Sequence, residues 1–231
     1  MGIQLYELVG AESERRFSPF CWRAHFSLLH KQLPFETIPW RFSEKEMLAF
    51  SGQGKVPVLV DGDRVVVDSW AIAEYLEEQY PQQPSLFGGL GGKALARFVT
   101  DWVETSLHPL IFCCVATDIY NHLAPSDRDY FRQTREAFLG MTLEAACGDR
   151  ENRVLQLRER LAPLRQTLQY QPYLSGEQPA WADWVVFSAF QWSRAISPFP
   201  LLATNDPVFA WREQLLKAFD GAAQRSLAYA A

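Results

Sequence analysis

Ser18 and Cys21 lie three residues apart in the stretch "RRFSPFCWRAHF", with Pro19 and Phe20 between them. The spacing is that of a redox Cys-x-x-Cys in which the first sulfur has been replaced by oxygen. Two chemistries are open to the serine. Its hydroxyl can cap a helix that starts at Pro19, accepting from the backbone N–H of the second or third helical residue. The same hydroxyl can instead donate to an anion held at the helix start, where unsatisfied N–H groups and the helix dipole favour negative charge. Cys21 would fall at the third helical position. It is either a small buried hydrophobe or a thiol whose pKa the helix end lowers. An oxygen at the first position cannot form a mixed disulfide, so dithiol redox chemistry is disfavoured.

Two further stretches could handle a ligand. Lys55-Val56-Pro57 puts a cation and a proline at the start of an apolar run. Asp68-Ser69 precedes the helical pattern "WAIAEYLEEQ", and helix starts bind carboxylates through backbone N–H groups. The remaining cysteines, Cys113, Cys114 and Cys147, and the four histidines show no paired metal-ligand spacing, so no metal site is expected.

These residues need elements to position them. "IQLYELV" over 3–9 reads as a strand, 10–17 as a loop, and 18–31 as a helix with Pro19 at its first position. "FETIPW" over 35–40 reads as a second strand, which makes a right-handed β-α-β unit with parallel strands. A polar loop with room for a short helix fills 43–53. Runs at 56–60 and 64–67 flank Asp61-Gly62-Asp63, a hairpin signal, and a helix follows over 69–81. The Pro- and Gly-rich stretch 81–93 breaks both periodicities. Beyond it strand signals vanish, and helices are expected near 93–122, 125–147, 153–170, 180–196 and 205–220. The fold class is therefore α/β plus all-α.

In this order and at this spacing, Ser18-Pro19-Phe20-Cys21, Lys55-Val56-Pro57 and Asp68-Ser69-x-Ala71-Ile72 ahead of a helical half resemble the glutathione S-transferase superfamily. The resemblance covers nearly the whole chain. Within the superfamily, "SPFCWR", "DSWAIAEYL" and "PSDRDYFRQTRE" resemble bacterial β-etherase-type transferases, which cleave aryl ethers in lignin-derived compounds.

The resemblance implies a thioredoxin-like glutathione-binding domain over 1–82, a linker over 83–92 and an all-helical domain over 93–231 that forms a hydrophobic substrate site. It implies glutathione as co-substrate, a hydrophobic small-molecule partner and a homodimer. Ser18 would stabilise the glutathione thiolate. Val56, ahead of a cis Pro57, would pair with the tripeptide backbone as in strand addition. Ser69 and Asp68 would hold the γ-glutamyl end, with Lys55 and Arg41 as candidates for the glycyl carboxylate. Phe17, Trp102, Phe112, Tyr120, Phe131 and Trp192 are candidates for the second-substrate pocket, and fewer than half are expected to line it because aromatics at helical spacing are mostly core. Two alternatives stand beside this reading: a glutathione-dependent thiol transferase using Cys21, and a non-catalytic glutathione- or ligand-binding module. One departure from the family pattern is Ala180-Trp181-Ala182-Asp183, where a Ser/Thr-x-x-Asp cap is usual.

The bulk numbers exclude other classes. With 231 residues, 48% hydrophobic and 21% charged, the chain can bury a large core. A net charge of −5 argues against a dedicated nucleic-acid binder. The opening "MGIQLYELVG" lacks a secretory pattern and no apolar run is long enough to span a membrane, so a soluble cytoplasmic protein is expected.

Overall fold

The computed structural model describes residues 2–229, so the outer limits expected for the two domains, Met1 and Ala231, lie outside it. The first part runs β1 (Ile3–Leu8), α1 (Pro19–His30), β2 (Phe35–Trp40), a short 3₁₀ helix (Lys45–Ser51), β3 (Val58–Asp61), β4 (Arg64–Val67) and α2 (Ser69–Gln79). The sheet order is β2-β1-β3-β4. β1 and β2 are parallel, with Ile3 opposite Phe35, and the other neighbours are antiparallel. This is a thioredoxin-like arrangement. Asp61 and Arg64 close the hairpin around Gly62, whose φ is 59°.

The rest is helical. α3 (Leu90–Trp102) passes through a π-helical turn at Val103–Leu107 into α4 (His108–His122). Then come α5 (Pro125–Leu139), α6 (Leu143–Gly148), α7 (Arg150–Arg160), α8 (Ala162–Thr167), α9 (Trp181–Ile196), α10 (Pro207–Leu216) and α11 (Ala218–Arg225). No helix among the described residues is long and apolar enough to cross a membrane.

Several helical boundaries differ from the sequence reading, and the helix expected over 153–170 divides into α7 and α8. α3 begins at Leu90, inside the glycine-rich stretch: a Cβ on Gly92 would collide with the Phe87 carbonyl oxygen, so close packing, and not a turn, requires that glycine. The helix expected over 125–147 breaks at Gly140, which is left-handed with φ 68°, and restarts at Thr142, whose Oγ1 accepts from the Ala145 N–H at 3.1 Å. The segment after α10 breaks at Phe219, Asp220 and Gly221, all with positive φ.

α9 is the buried axis of the helical part. Its departed cap is replaced by tertiary contacts. Asp183 Oδ2 accepts from the Ala180 N–H at 3.3 Å and the Ser175 N–H at 3.0 Å, and Oδ1 accepts from the Leu174 N–H at 2.8 Å and Trp211 Nε1 at 3.2 Å. Ala180 contributes no side-chain acceptor, so only the Asp half of the reciprocal cap exists.

α1 packs directly on α9, which fixes the sheet part against the helical part. Phe26 meets Trp184 and Phe187 with ring centroids 5.6 and 5.2 Å away. Trp184 Nε1 donates to His30 Nδ1 at 3.2 Å, and Arg15 Nη1 donates to the Ala195 carbonyl at 2.6 Å. Lys31, fully buried at the end of α1, pairs with Glu77 of α2 at 2.6 Å. A third clamp joins α5 to the chain after β2, where buried Asp127 accepts from the Ser43 N–H at 2.9 Å.

Candidate active site

The start of α1 is held from behind and from below. Buried Glu7 of β1 lies 2.8 Å from Arg16 Nε and 3.0 Å from His25 Nδ1. Arg16 Nη2 reaches Thr37 Oγ1 at 2.8 Å, and its own carbonyl accepts from Trp22 Nε1 at 3.0 Å. The loop before it packs on α4: a Cβ on Gly10 would meet the His122 carbonyl at 2.6 Å, and the Ala11 N–H donates to that same oxygen at 2.8 Å.

Ser18 is the N-cap. Its backbone is extended, with φ −90° and ψ 122°, and its Oγ accepts from the Cys21 N–H at 3.2 Å. A hydroxyl accepts through lone pairs and donates through its proton, so the cap leaves the proton available. Cap and anion donor are compatible roles for this one oxygen.

Ser18 lines two adjoining chambers. One, of about 170 Å³, is mostly apolar, with Phe17, Phe20, Phe42, Phe112, Phe131 and Trp192 in its wall. The other, of about 300 Å³, is lined by Gly54, Lys55 and Val56. Leu8, Ser18, Phe20, Phe42 and Arg135 face both. Four of the six aromatic candidates therefore line the apolar chamber, where fewer than half were expected to. Trp102 and Tyr120 do not. Trp102 ends α3 outside the lining, and the Tyr120 ring lies under Arg132, whose guanidinium carbon is 4.5 Å from its centroid.

The backbone before β3 is open toward the second chamber. The Val56–Pro57 peptide is cis, and the ladder with β1 and β4 begins only at Val58, so Val56 N–H and C=O lie outside it. Lys55 is exposed there. Asp68 and Ser69 start α2 outside the lining of both chambers. Asp68 is a non-glycine residue at φ 77°, and its Oδ1 accepts from the Trp70 and Ala71 N–H groups at 2.9 and 3.2 Å. Arg41 is engaged within the protein: it donates to the Gly10 and Ala11 carbonyls at 3.1 and 3.3 Å and pairs with Glu44 at 3.3 Å.

Cys21 is 1% exposed, and burial, reinforced by Glu7, pushes its thiol up to about 12, with Ser18 and the Leu8 backbone offsetting only part. Its burial and raised pKa both disfavour a nucleophilic Cys21 at neutral pH.

Two titratable residues facing the apolar chamber were not singled out from sequence. His108, the first residue of α4, walls the apolar chamber edge-on to Trp192. Burial, with the Arg23 guanidinium beside it, holds its imidazole well below the usual histidine range, so it is neutral. Arg135 of α5 lies between the chambers, half-buried, with Phe42 and Phe131 5.5 and 5.3 Å from its guanidinium carbon. Its place one helical turn after Phe131 was the available signal: a cation on a core-facing stripe.

Residues 13–84 match the glutathione S-transferase N-terminal domain family and residues 94–200 match the glutathione S-transferase C-terminal domain family. Glutathione S-transferase 4 of Zea mays is 30% identical over 203 residues, covering 86% of this chain and 83% of that protein. The zeta-class glutathione S-transferase of Euphorbia esula is 33% identical over 112 residues, 46% of this chain. The matched stretch spans about half the length of the first curated relatives, 50% and 52% of the Euphorbia and Dianthus proteins. Among solved structures, a glutathione S-transferase of Ceriporiopsis subvermispora in complex with glutathione superposes with TM-score 0.85 at 20% identity, covering 95% of this chain and 98% of that one. Glutathione transferase GSTFuA2 of Phanerochaete chrysosporium gives TM-score 0.85 at 24% identity, covering 98% and 99%. With both halves matched and a relative aligned over most of its length, the chain belongs to the glutathione S-transferase family.

Proposed function

We propose that this protein is a glutathione transferase whose co-substrate is glutathione and whose second substrate is a hydrophobic aromatic electrophile, aryl ethers included. The observation that carries the reading is the position of Ser18, capping α1 where an aromatic chamber meets a chamber edged by the unpaired backbone of Val56. Glutathione lies in the latter, its cysteinyl backbone against Val56 N–H and C=O and its glycyl carboxylate toward Lys55. Its γ-glutamyl end extends toward Ser69 and Asp68.

A free thiol has a pKa of about 8.5. The Ser18 proton and the α1 N-terminus favour the anion, raising the thiolate fraction at neutral pH. The sulfur then attacks the electrophilic carbon of a substrate in the aromatic chamber. A C–S bond forms, and the bond to the leaving group breaks with its electron pair. For an aryl ether the leaving group is an alkoxide or phenolate, which takes a proton from solvent. The aromatic walls orient planar substrates and exclude water.

The sequence likeness to β-etherase-type transferases supports ethers as one substrate class, and the aromatic chamber accommodates them. Residues 1–82 serve as the glutathione-binding domain and 93–231 as the substrate domain, joined by 83–92. A homodimer accounts for apolar side chains left in solvent, Leu95 at 69% and Phe98 at 71% exposed on α3 and Phe50 at 50% after β2. Sedimentation equilibrium at twice the chain mass is the expected result, and a monomer refutes it.

Turnover tests the central reading. Ser18→Ala lowers kcat/KM for glutathione conjugation by about tenfold to a hundredfold, the kinetic equivalent of roughly 1.4–2.7 kcal/mol. An unchanged kcat/KM refutes it. A wild-type protein that binds glutathione but conjugates no electrophile is a binding module instead.

A further inference from the structure

Arg135 is a cation that the protein itself leaves without a carboxylate. No Asp or Glu among the described residues lies within 4.0 Å of its guanidinium, whereas Arg132, three positions earlier on α5, pairs with both Glu136 and Glu144 at 2.8 Å. Its side-chain hydrogen bond within the protein is a neutral one, Nη1 donating to Thr134 Oγ1 at 3.0 Å. Phe42 and Phe131 flank it, and both wall the apolar chamber. Neither chamber is lined by an acidic side chain. The other titratable group facing the apolar chamber, His108, is neutral, so nothing there answers the charge. Burial lowers the guanidinium's pKa from its ordinary value, with the nearby Tyr130 offsetting part, and it stays protonated at neutral pH. Half-desolvating a cation against aromatic faces costs free energy unless an anion returns it.

We propose that Arg135 selects second substrates that carry an anionic group: an aromatic electrophile with a ring carboxylate or an ionised phenol. The inference rests on the transferase reading above. A planar carboxylate meets the guanidinium fork through two parallel hydrogen bonds while its ring lies between the aromatic walls. Lys55 already supplies a cation to the glutathione side, which frees Arg135 for the other ligand. The shared chemistry, an anion on Arg135, could also come from a glutathione carboxylate, and the test separates the two.

The experiment compares chlorodinitrobenzene with chlorodinitrobenzoate, the same reacting ring with and without a carboxylate. In each the glutathione sulfur bonds to the ring carbon and chloride leaves with the electron pair. In Arg135→Gln the ratio of kcat/KM for the benzoate to that for the neutral ring falls about tenfold relative to wild type, equivalent to about 1.4 kcal/mol. Arg135→Lys retains part of the ratio, because charge without the fork survives. An unchanged ratio overturns the proposal, and so does a loss expressed chiefly as a higher KM for glutathione with both electrophiles, which would assign Arg135 to the tripeptide. If wild type conjugates neither ring, the transferase reading fails for these electrophiles independently of Arg135. The site is then read by calorimetry with naphthoate, an unreactive aromatic carboxylate: binding that weakens about tenfold in Arg135→Gln upholds the anion site, and binding indifferent to Arg135 overturns it.

Discussion

Ser18 and Cys21 are joined by one hydrogen bond, Cys21 N–H to Ser18 Oγ at 3.2 Å, and face opposite ways in function. The oxygen is at the junction of the two chambers, and the sulfur is sealed in the core against β1. The reactive-looking residue therefore serves the cap through its backbone, and the plain hydroxyl faces the chambers.

Cys21→Ala is expected to keep most conjugation activity and to cost about 1 kcal/mol of stability through the small cavity left by the sulfur. Native protein treated with iodoacetamide should show no adduct on Cys21 by peptide mass spectrometry, because burial raises its pKa to about 12. A rapidly alkylated Cys21, or activity lost with it, would restore the thiol-transferase alternative.

Lys55 and Arg41 both offered charge for the glycyl carboxylate; in the fold Lys55 is exposed beside Val56, and Arg41 is engaged with the Gly10 and Ala11 carbonyls and Glu44. Lys55→Ala should raise the KM for glutathione about threefold to tenfold, with the effect shrinking at high salt because the side chain is exposed. Arg41→Ala should instead lower the unfolding midpoint, since its guanidinium ties the Gly10 and Ala11 carbonyls to Glu44. A KM effect confined to Arg41 would reverse the assignment.

Asp183 gives a pH-dependent prediction. Burial raises its pKa, and hydrogen bonds from Ser175, Leu174 and Ala180 offset part of that rise. The folded state therefore holds a proton that the unfolded chain has already lost. Between the unfolded value of about 3.9 and the higher folded value, this carboxyl's contribution to stability falls as pH rises. Asp183→Asn removes that slope, so its destabilisation relative to wild type should shrink as pH rises across that window in urea titrations. Asp183→Ala leaves four donors without their acceptor and should cost about 3 kcal/mol or more. A constant difference at all pH values would contradict the raised pKa.

The first half of the fold was legible because its signals are local. Ser18-Pro19, Asp61-Gly62 and Asp68-Ser69 each fix a boundary through their own backbone chemistry, and the structure starts α1, turns the hairpin and starts α2 there. The helical half was legible in type but not in breaks: Gly140 ends α5 as a left-handed cap inside what reads as one amphipathic run, and Gly92 looks like a loop residue while serving a close contact. Site residues divided by the same logic. Ser18 and Val56 follow from their elements. Which aromatic faces the chamber depends on helix rotation, so Phe112 does and Tyr120, two turns on, does not. Arg135 and His108 were missed because their meaning arises only when α4 and α5 close over α1.

The central claim is that Ser18 lowers the pKa of a thiol that arrives with the ligand. Titrating the thiolate absorbance of bound glutathione in wild type and Ser18→Ala measures this without any second substrate. The account predicts a bound thiol ionising well below about 8.5 in wild type and roughly one to two units higher in Ser18→Ala, with glutathione affinity little changed. The same pKa in both proteins would contradict it.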